Sequence, residues 1–195
     1  IFCMSDIHGC LAEFDYALSL VQEYLDQRDA MLILLGDYIH GGTENKAVLD
    51  KIICLQNRYG CDKVIALLGN HEELVMNGYS TIDHFQAKYY DSYDESDEEY
   101  YANWFDSLPR YCVEGNTIFV HAGINETAGD LWELGTDDYT YTNKFPADIG
   151  KIDGLDMKIV AGHIHTSNIS NNPRFHDIYY DGASHYYIDG DVFTT

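Results

Sequence analysis

The sequence feature that most constrains the fold is a repeated junction, in which an apolar run ends in a polar residue beside a glycine. Val64 to Leu68 is one such run, and Gly69-Asn70-His71-Glu72 follows it. Similar runs lead into four further junctions: Ser5-Asp6-Ile7-His8-Gly9, Gly36-Asp37, His121-Ala122-Gly123 and Gly162-His163-Ile164-His165. Short apolar runs bounded by glycine predict buried strands. Because open α/β sheets place ligands at the carboxyl ends of their strands, we expect these junctions to carry the chemistry.

Histidines are concentrated at these junctions. Six of the nine histidines lie there, namely His8, His40, His71, His121, His163 and His165. If the strand ends converge, they present oxygen and imidazole donors without a thiolate: Asp6, His8, Asp37, Asn70, His121, His163 and His165. Hard and borderline divalent metals prefer such donors. Seven candidate ligands exceed one four-coordinate site and suit two metal ions that share a bridging carboxylate.

The acidic composition restricts the partners of the protein. The chain has 195 residues, which predicts one domain over residues 1–195, and its net charge is -22. Like charge repels, so we expect neither a nucleic-acid backbone nor an anionic membrane surface as a partner. An anionic substrate would need local positive charge, and bound metal ions are the obvious source.

The apolar patterns divide the chain into two halves of different character. Helical spacing of Leu11, Phe14, Leu18, Val21 and Leu25, and again of Val48, Ile52 and Leu55, predicts a βαβαβ unit with a parallel sheet. In the second half, Glu114-Gly115-Asn116 and Asp181-Gly182-Ala183-Ser184 each lie between short strand patterns, which predicts two hairpins. The segment 125–156 is polar and hard to assign.

The acidic, tyrosine-rich segment 91–101 favours a solvated helix or loop over a partner-binding surface. We expect Trp104, Phe105 and Leu108 to anchor its end to the core.

The remaining composition favours a cytoplasmic protein. No apolar run approaches the roughly 20 residues of a membrane span, and no secretory leader precedes the first strand. Ile1 already belongs to that strand, so we expect a residue or two, including a starting methionine, to have been lost. The five cysteines are odd in number and form no Cys-x-x-Cys pair, which favours reduced thiols.

In order and spacing, the five junctions resemble the motifs of the calcineurin-like metallophosphoesterases. They are most similar to the phosphoprotein-phosphatase (serine/threonine phosphatase) branch and its bacterial members. Ser107-Leu108-Pro109 and Asp181-Gly182-Ala183 also resemble that bacterial subgroup. The resemblance implies an α/β, four-layer fold in which two mixed β-sheets pack face to face, with helices on the outer faces.

The resemblance also implies roles for individual residues. One metal would be held by Asp6, His8 and Asp37, and the second by Asp37, Asn70, His121 and His163. His165 matches a histidine that completes the first metal site in the wider superfamily, although the phosphatase branch usually lacks it. Mn²⁺ is the metal we expect, with iron or Zn²⁺ as alternatives. Hydroxide formed at the metal pair would attack phosphorus, and His71 would protonate the leaving group as general acid.

Two departures concern phosphate binding. The phosphatase branch normally continues its second motif as Gly-Asp-x-x-Asp-Arg-Gly, whereas this chain has His40 and Gly41 at the last Asp and Arg. A second family arginine commonly follows Leu-Trp, but Glu133 follows Leu131-Trp132 here. Arg-phosphate pairs are strong and geometrically specific, so their loss should weaken the binding of monoesters. His40 would then bind phosphate, orient His71 or only fill space.

Three interpretations of function remain open. The first is a phosphatase that acts on phosphomonoesters, either phosphoproteins or small molecules. The second is a hydrolase of dinucleoside polyphosphates or phosphodiesters, which the missing arginines leave open. The third is a catalytically weak, metal-binding scaffold.

Overall fold

A three-stranded parallel sheet forms the first half of the molecule. The structure, a computed structural model, describes residues 1–27, 29–84 and 95–193, with only the backbone for residues 95–98. The first elements are β1 (Phe2–Met4), α1 (Leu11–Leu25), β2 (Leu32–Leu34), α2 (Asn45–Tyr59) and β3 (Val64–Ala66). The strands pair in parallel in the order β1-β2-β3, which confirms the predicted βαβαβ unit.

Two helices follow this sheet, α3 (Asn70–Met76) and α4 (Glu95–Asp106). Of the acidic segment 91–101, residues 91–94 lie outside the described residues and the rest begins α4. Phe105 and Leu108 are buried in the core and Trp104 packs against it, which confirms the predicted anchor.

The second sheet has five strands in the order β4-β5-β6-β8-β7. Their bounds are β4 (Tyr111–Glu114), β5 (Thr117–Val120), β6 (Lys158–Ala161), β7 (Tyr179–Tyr180) and β8 (His185–Tyr187). The antiparallel pairs β4–β5 and β7–β8 are the two predicted hairpins, whereas β6 pairs in parallel with both β5 and β8. Short helices fill the segment that the sequence left unassigned: a 3-10 helix (Glu126–Leu131), α5 (Trp132–Gly135) and α6 (Asp138–Asn143). After β6 comes α7 (Thr166–Ile169).

Alternating side chains on the strands separate the layers. In β2, Leu32 and Leu34 belong to the cluster packed by α1 and α2, whereas Ile33 lies in a cluster with Phe119 of β5. Because successive side chains on a strand point to opposite faces, this second cluster marks the contact between the two sheets. Ile118 and Val120 face the other way, into a cluster that includes buried side chains of α5 and α6. The order is therefore helices, sheet, sheet, helices, as predicted.

Within the described part of the chain, no helix combines the length and apolar character needed to cross a membrane.

A buried ionic network ties the segment between β5 and β6 to the last hairpin. The His185 imidazole lies between two carboxylates, with Nδ1 2.8 Å from Asp181 and Nε2 3.2 Å from Glu126. Asp181 also accepts the backbone N–H groups of Gly150, Ala183 and His185. Glu126 in turn pairs with Lys144, which also contacts Asp148. Both carboxylates accept hydrogen bonds, so the geometry suits a doubly protonated His185.

We predict that His185 makes the stability of the protein depend on pH. Burial alone would lower the pKa of His185, but Glu126 and Asp181 raise it above its ordinary value of 6.5. A group whose pKa is raised by folding stabilises fully below its unfolded pKa, and the stabilisation is lost as pH rises through the folded value. At pH 5.5 in EDTA, His185→Gln should lower the free energy of unfolding in urea by on the order of 2 kcal/mol.

The difference between wild type and His185→Gln should shrink as the pH is raised above about 6.5. The same variant in a Glu126→Gln background serves as the control, since one of the two carboxylates is then neutral. A difference in unfolding free energy that stays constant from pH 5.5 to 9 would contradict the prediction.

Candidate metal centre

The carboxyl ends of parallel strands from both sheets meet at one place. Asp6, Asp37 and Asn70 follow β1, β2 and β3, whereas His121 and His163 follow β5 and β6. The His163 backbone N–H donates to both oxygens of Asp6, at 3.0 and 3.2 Å. His121 Nε2 lies 3.4 Å from Asp37 Oδ2. The predicted junctions of the first sheet therefore contact those of the second.

The backbone is strained at these junctions. Seven described residues other than glycine have a positive φ, and five of them are candidate site residues: Asp6, His8, Asp37, His40 and His163. Each such conformation costs about 1 to 3 kcal/mol, and it persists only where the surrounding structure enforces it. The fold thus holds these side chains in place against local preference.

Two glycines allow the junctions to approach one another. A Cβ on Gly36, which has φ +107°, would lie 2.6 Å from the Gly69 backbone. A Cβ on Gly162 would overlap the side chains of Ser5 and Asp6. A larger residue at either position would push apart the strand ends that carry the candidate ligands.

The first group of donors surrounds His121. Its Nε2 lies 3.0 Å from Asn70 Oδ1, 3.2 Å from His163 Nδ1 and 3.4 Å from Asp37 Oδ2. His121, His163 and Asp37 each offer a ligand atom within 4.8 Å of the others. These are the residues that the resemblance assigns to one metal, and the structure brings all four together.

The hydrogen bond made by His121 Nδ1 leaves Nε2 of the neutral ring without a proton, facing other electron-rich atoms. Nδ1 faces the Leu35 carbonyl oxygen at 3.0 Å and must carry a proton, because a carbonyl only accepts. In a neutral ring Nε2 then bears a lone pair that points at the oxygens of Asn70 and Asp37. Burial alone would lower the pKa of His121, but the Asp37 carboxylate raises it to about 9. A cation, either a proton or a metal ion, is therefore favoured here.

The second group contains His8, Asp37 and His71, whose ligand atoms also lie within 4.8 Å of one another. The His8 Nδ1–H donates to the Ile39 carbonyl at 3.0 Å, so its Nε2 lone pair is directed elsewhere, 3.9 Å from Asp6 Oδ1. Burial and the carboxylates of Asp189 and Asp37 raise the pKa of Asp6 to about 7. Carboxylate oxygens together with an imidazole nitrogen are a donor set that suits a second divalent cation.

Asp37 belongs to both groups, as a bridging ligand requires. Burial would raise its pKa, but His121 holds the pKa well below the ordinary range, so this carboxylate stays ionised. His163 is suited to ligation for the opposite reason, since burial and the neighbouring His121 lower its pKa to about 4 and keep the ring neutral. The side chains present thus fit two metal ions that share Asp37.

His71 and His40 form a hydrogen-bonded pair beside this centre. Their Nδ1 atoms are 2.8 Å apart, and His40 Nε2 lies 2.7 Å from the Thr81 carbonyl oxygen. His40 Nε2 therefore carries the proton, and its Nδ1 accepts the Nδ1–H of His71. The His71 backbone N–H donates to Asp37 at 3.0 Å. Nε2 of His71 lies 3.8 Å from Asp37 Oδ2 and faces the centre.

His165 lies in different surroundings from the other predicted ligands. It is half-exposed, with Nε2 3.6 Å from Asp189 Oδ2 and Nδ1 3.7 Å from Asp191 Oδ2. Neither of the two donor groups found among the described residues includes it. Asp189 links it indirectly to the centre, because Asp189 is close enough to raise the pKa of Asp6.

The space near the absent arginines is occupied by an aromatic ring and ion pairs. A Cβ on Gly41 would lie 2.1 Å from the Phe193 ring, and that ring also contacts His8. Glu133 accepts a hydrogen bond from the Tyr111 hydroxyl. Arg110 is engaged by Glu73 and Asp138, at 2.8 and 3.1 Å. No arginine contact to the candidate ligands is recorded among the described residues.

Two buried carboxylates that contact the candidate site were not identified from the sequence. Glu72 is fully buried, and its carboxylate accepts hydrogen bonds from the backbone N–H groups of Asp37, Tyr38 and Gly69. These bonds fix the loop that carries Asp37. Asp189 is also buried and lies beside His165. Both had a visible signal. Glu72 belongs to the Asn70 junction, and Asp189-Gly190 repeats the polar-glycine junction after the last strand.

Comparisons with known proteins identify the family to which the chain is similar. The family model described as "Calcineurin-like phosphoesterase" matches residues 1–190. A curated relative from Buchnera aphidicola, a symmetrical bis(5'-nucleosyl)-tetraphosphatase, is 27% identical over 140 residues, which are 70% of this chain and 47% of that protein. The chain thus spans about half the length of this relative.

Two solved structures share the fold at low sequence identity. One is a Saccharomyces cerevisiae protein serine/threonine phosphatase, with a TM-score of 0.64, 16% identity, and coverage of 96% of this chain and 65% of that chain. The other is described as a putative diadenosine tetraphosphatase, with a TM-score of 0.63, 16% identity, and coverage of 97% and 82%. The matched family model, the order of the junctions and the converging donors lead to one conclusion: the chain belongs to the calcineurin-like phosphoesterase family.

Proposed function

We propose that the protein is a hydrolase that cleaves phosphoanhydride bonds of small dinucleoside polyphosphates at two divalent metal ions. The proposal is carried by the lone-pair donors gathered around His121 Nε2 and Asp37, which need a cation between them. Asp6, His8 and Asp37 would hold one ion, and Asp37, Asn70, His121 and His163 the other. Mn²⁺ is the proposed metal. His165 is a further candidate ligand of the ion held by Asp6, His8 and Asp37.

When bound, two divalent ions lower the pKa of a shared water and neutralise phosphate oxygens. The chain's own residues supply position and protons. Glu72 fixes the loop that carries Asp37, and His71 Nε2 lies 3.8 Å from Asp37 Oδ2, facing the centre. Burial lowers the pKa of His71 to about 4, so the ring would take up its second proton only when a negatively charged substrate lies beside it, and would then donate from Nε2 to the leaving oxygen. His40 is a positioning residue, because its tautomer, set by the Thr81 carbonyl, dictates which nitrogen of His71 faces the substrate.

Two observations support an anhydride over a monoester. The curated relative is named as a symmetrical bis(5'-nucleosyl)-tetraphosphatase. In addition, Phe193 occupies the space beside Gly41, and Arg110 is paired with carboxylates. A terminal phosphate carries up to two charges and depends on cationic clamps, whereas an internal phosphate carries one. A phosphomonoesterase, including a protein phosphatase, is the second candidate, favoured by the fold shared with a serine/threonine phosphatase.

We also propose one domain over residues 1–195 and action in the cytoplasm.

Metal binding should stabilise the protein through Asp37. In a thermal melt, saturating Mn²⁺ should raise Tm over an EDTA-treated sample, since a ligand at 100 times its Kd adds about 2.7 kcal/mol. Asp37→Asn should lose this shift and the hydrolytic activity while it melts cooperatively in EDTA. Asp15→Asn, on the outer face of α1, is the matched control and should keep the shift. An Asp37→Asn protein that responds to Mn²⁺ like wild type would refute the bridging role.

The preferred substrate should be a dinucleoside polyphosphate. With Mn²⁺, kcat/KM for a dinucleoside tetraphosphate should exceed that for p-nitrophenyl phosphate by at least about tenfold, or about 1.4 kcal/mol of transition-state stabilisation. Bis-p-nitrophenyl phosphate serves as the diester comparison. A preference for p-nitrophenyl phosphate would support the phosphomonoesterase, and metal binding without turnover of any ester would support a scaffold.

Loss of the general acid should depend on the leaving group. His71→Ala should lower kcat for phenyl phosphate, whose leaving phenolate is basic, by roughly 10²- to 10⁴-fold, the range for one positioned acid. The loss should be smaller for p-nitrophenyl phosphate, whose more acidic leaving group needs no proton, as is also true of the phosphate group that leaves a dinucleoside tetraphosphate. His40→Ala should show the same pattern to a lesser extent. Equal losses with both substrates, together with reduced metal content in His71→Ala, would instead make His71 a metal ligand.

A further inference from the structure

A cavity of about 520 Å³ adjoins the loops of the metal centre, and none of the candidate metal ligands lines it. Its wall begins at Ile124, three residues after the candidate ligand His121. Asn143 forms another part of the wall and donates to Glu73, which lies one helical turn beyond Asn70. The Ala122 backbone N–H donates to the Tyr141 carbonyl at 2.9 Å. These bonds attach the cavity directly to the loops that hold the metal ligands.

Two exposed aromatic rings border this cavity. Tyr139 is 70% exposed and Phe145 is 79% exposed, and both line it. Each ring leaves apolar area in water that could otherwise have been buried, and planar rings of this kind are used to stack bases. Thr140 and Asn143, which have polar side chains, lie between them in the sequence and line the same cavity. The wall thus combines stacking surfaces with polar groups.

The charges of the cavity make it unsuitable for a phosphate. Its cation, Lys144, is paired with Glu126 and lies 2.7 Å from Asp148. Lys144 also donates to the Ile124 carbonyl. One positive charge is therefore opposed by two carboxylates, so an anion would be repelled. A neutral ring with N–H donors on its edge is compatible with the same surroundings.

From these contacts we infer that the cavity binds the nucleobase of a nucleotide substrate whose phosphates lie at the metal centre. This inference rests on the proposed function and concerns the base of the substrate, which the metal ions do not bind. The base stacks on both Tyr139 and Phe145 and presents its exocyclic amino group to the carboxylates and amides of the wall. The segment between β5 and β6 therefore selects the substrate, whereas the strand junctions hydrolyse it.

Direct binding tests the inference without any turnover. The probe is adenosine, which has the base but no phosphate, titrated into EDTA-treated protein and followed by ligand-observed NMR. Tyr139→Ala and Phe145→Leu should each weaken binding by about tenfold, the typical loss for one base-stacking ring. Tyr139→Phe keeps the ring and should bind like wild type. Tyr16→Ala removes an equally exposed ring, 69% exposed, on α1 and is the matched control.

Steady-state kinetics provides a second readout. In Tyr139→Ala, the KM for the dinucleoside tetraphosphate should rise about tenfold relative to the KM for p-nitrophenyl phosphate, and Tyr16→Ala should leave this ratio unchanged. Absence of adenosine binding in wild type, equal binding by Tyr139→Ala, or stronger binding of N-acetyl-tyrosinamide than of adenosine would overturn the inference. Failure of the proposed function is seen separately, as absence of Mn²⁺-dependent hydrolysis by wild type, and leaves the adenosine measurement intact.

Discussion

The buried carboxylate of Asp37 is the constraint on which the rest of the structure depends. It accepts the His71 backbone N–H, lies 3.4 Å from His121 Nε2 and belongs to both donor groups. A buried charge is costly unless it is compensated, and here the compensation comes from the other sheet. The contact of Ile33, Leu35 and Leu67 with Phe119 holds the two sheets together. The candidate metal centre therefore depends on the packing of the two sheets, because a shift between the sheets would separate Asp37 from His121.

The same carboxylate explains how a protein with a net charge of -22 can act on an anion. The described cations around the centre are already engaged, Arg110 by Glu73 and Asp138, and Lys144 by Glu126 and Asp148. Attraction for a phosphate must then come from metal ions, whose charge exceeds that of the two carboxylates, Asp6 and Asp37, proposed to hold them. Such attraction is local, and it falls within about 10 Å of the ions at ordinary salt concentrations. Distant parts of a substrate must be recognised by other contacts, and the cavity where Lys144 faces Glu126 and Asp148 suits an uncharged group.

How much could be predicted from the sequence follows from the range of each interaction. The junctions identified Asp6, His8, Asp37, Asn70, His121 and His163, because a strand end followed by glycine is a local pattern that the parallel sheet brings to one edge. The surroundings of His165 could not be predicted, since its contact with Asp189 exists only because β8 pairs beside β6. The His40–His71 pair depends on the Thr81 carbonyl, which lies 41 residues along the chain from His40. The cavity was missed because residues 125–156 show no helical or strand period.

The departures at positions 40 and 41 make physical sense together. In the phosphatases that this chain resembles, an aspartate and an arginine stand there, and their charges cancel. Replacing them with a neutral His40 and Gly41 leaves the sum of charges around the metals unchanged, so the electrostatic conditions for metal binding persist. What is lost is the directional grip on a terminal phosphate, because the Phe193 ring now packs against Gly41. The pairing of His40 with His71 fixes the orientation of the proposed proton donor by means of the Thr81 carbonyl rather than a carboxylate. The centre thus keeps the donor groups proposed to hold the metal ions, while the two arginines of the phosphatase motifs are replaced by Gly41 and Glu133.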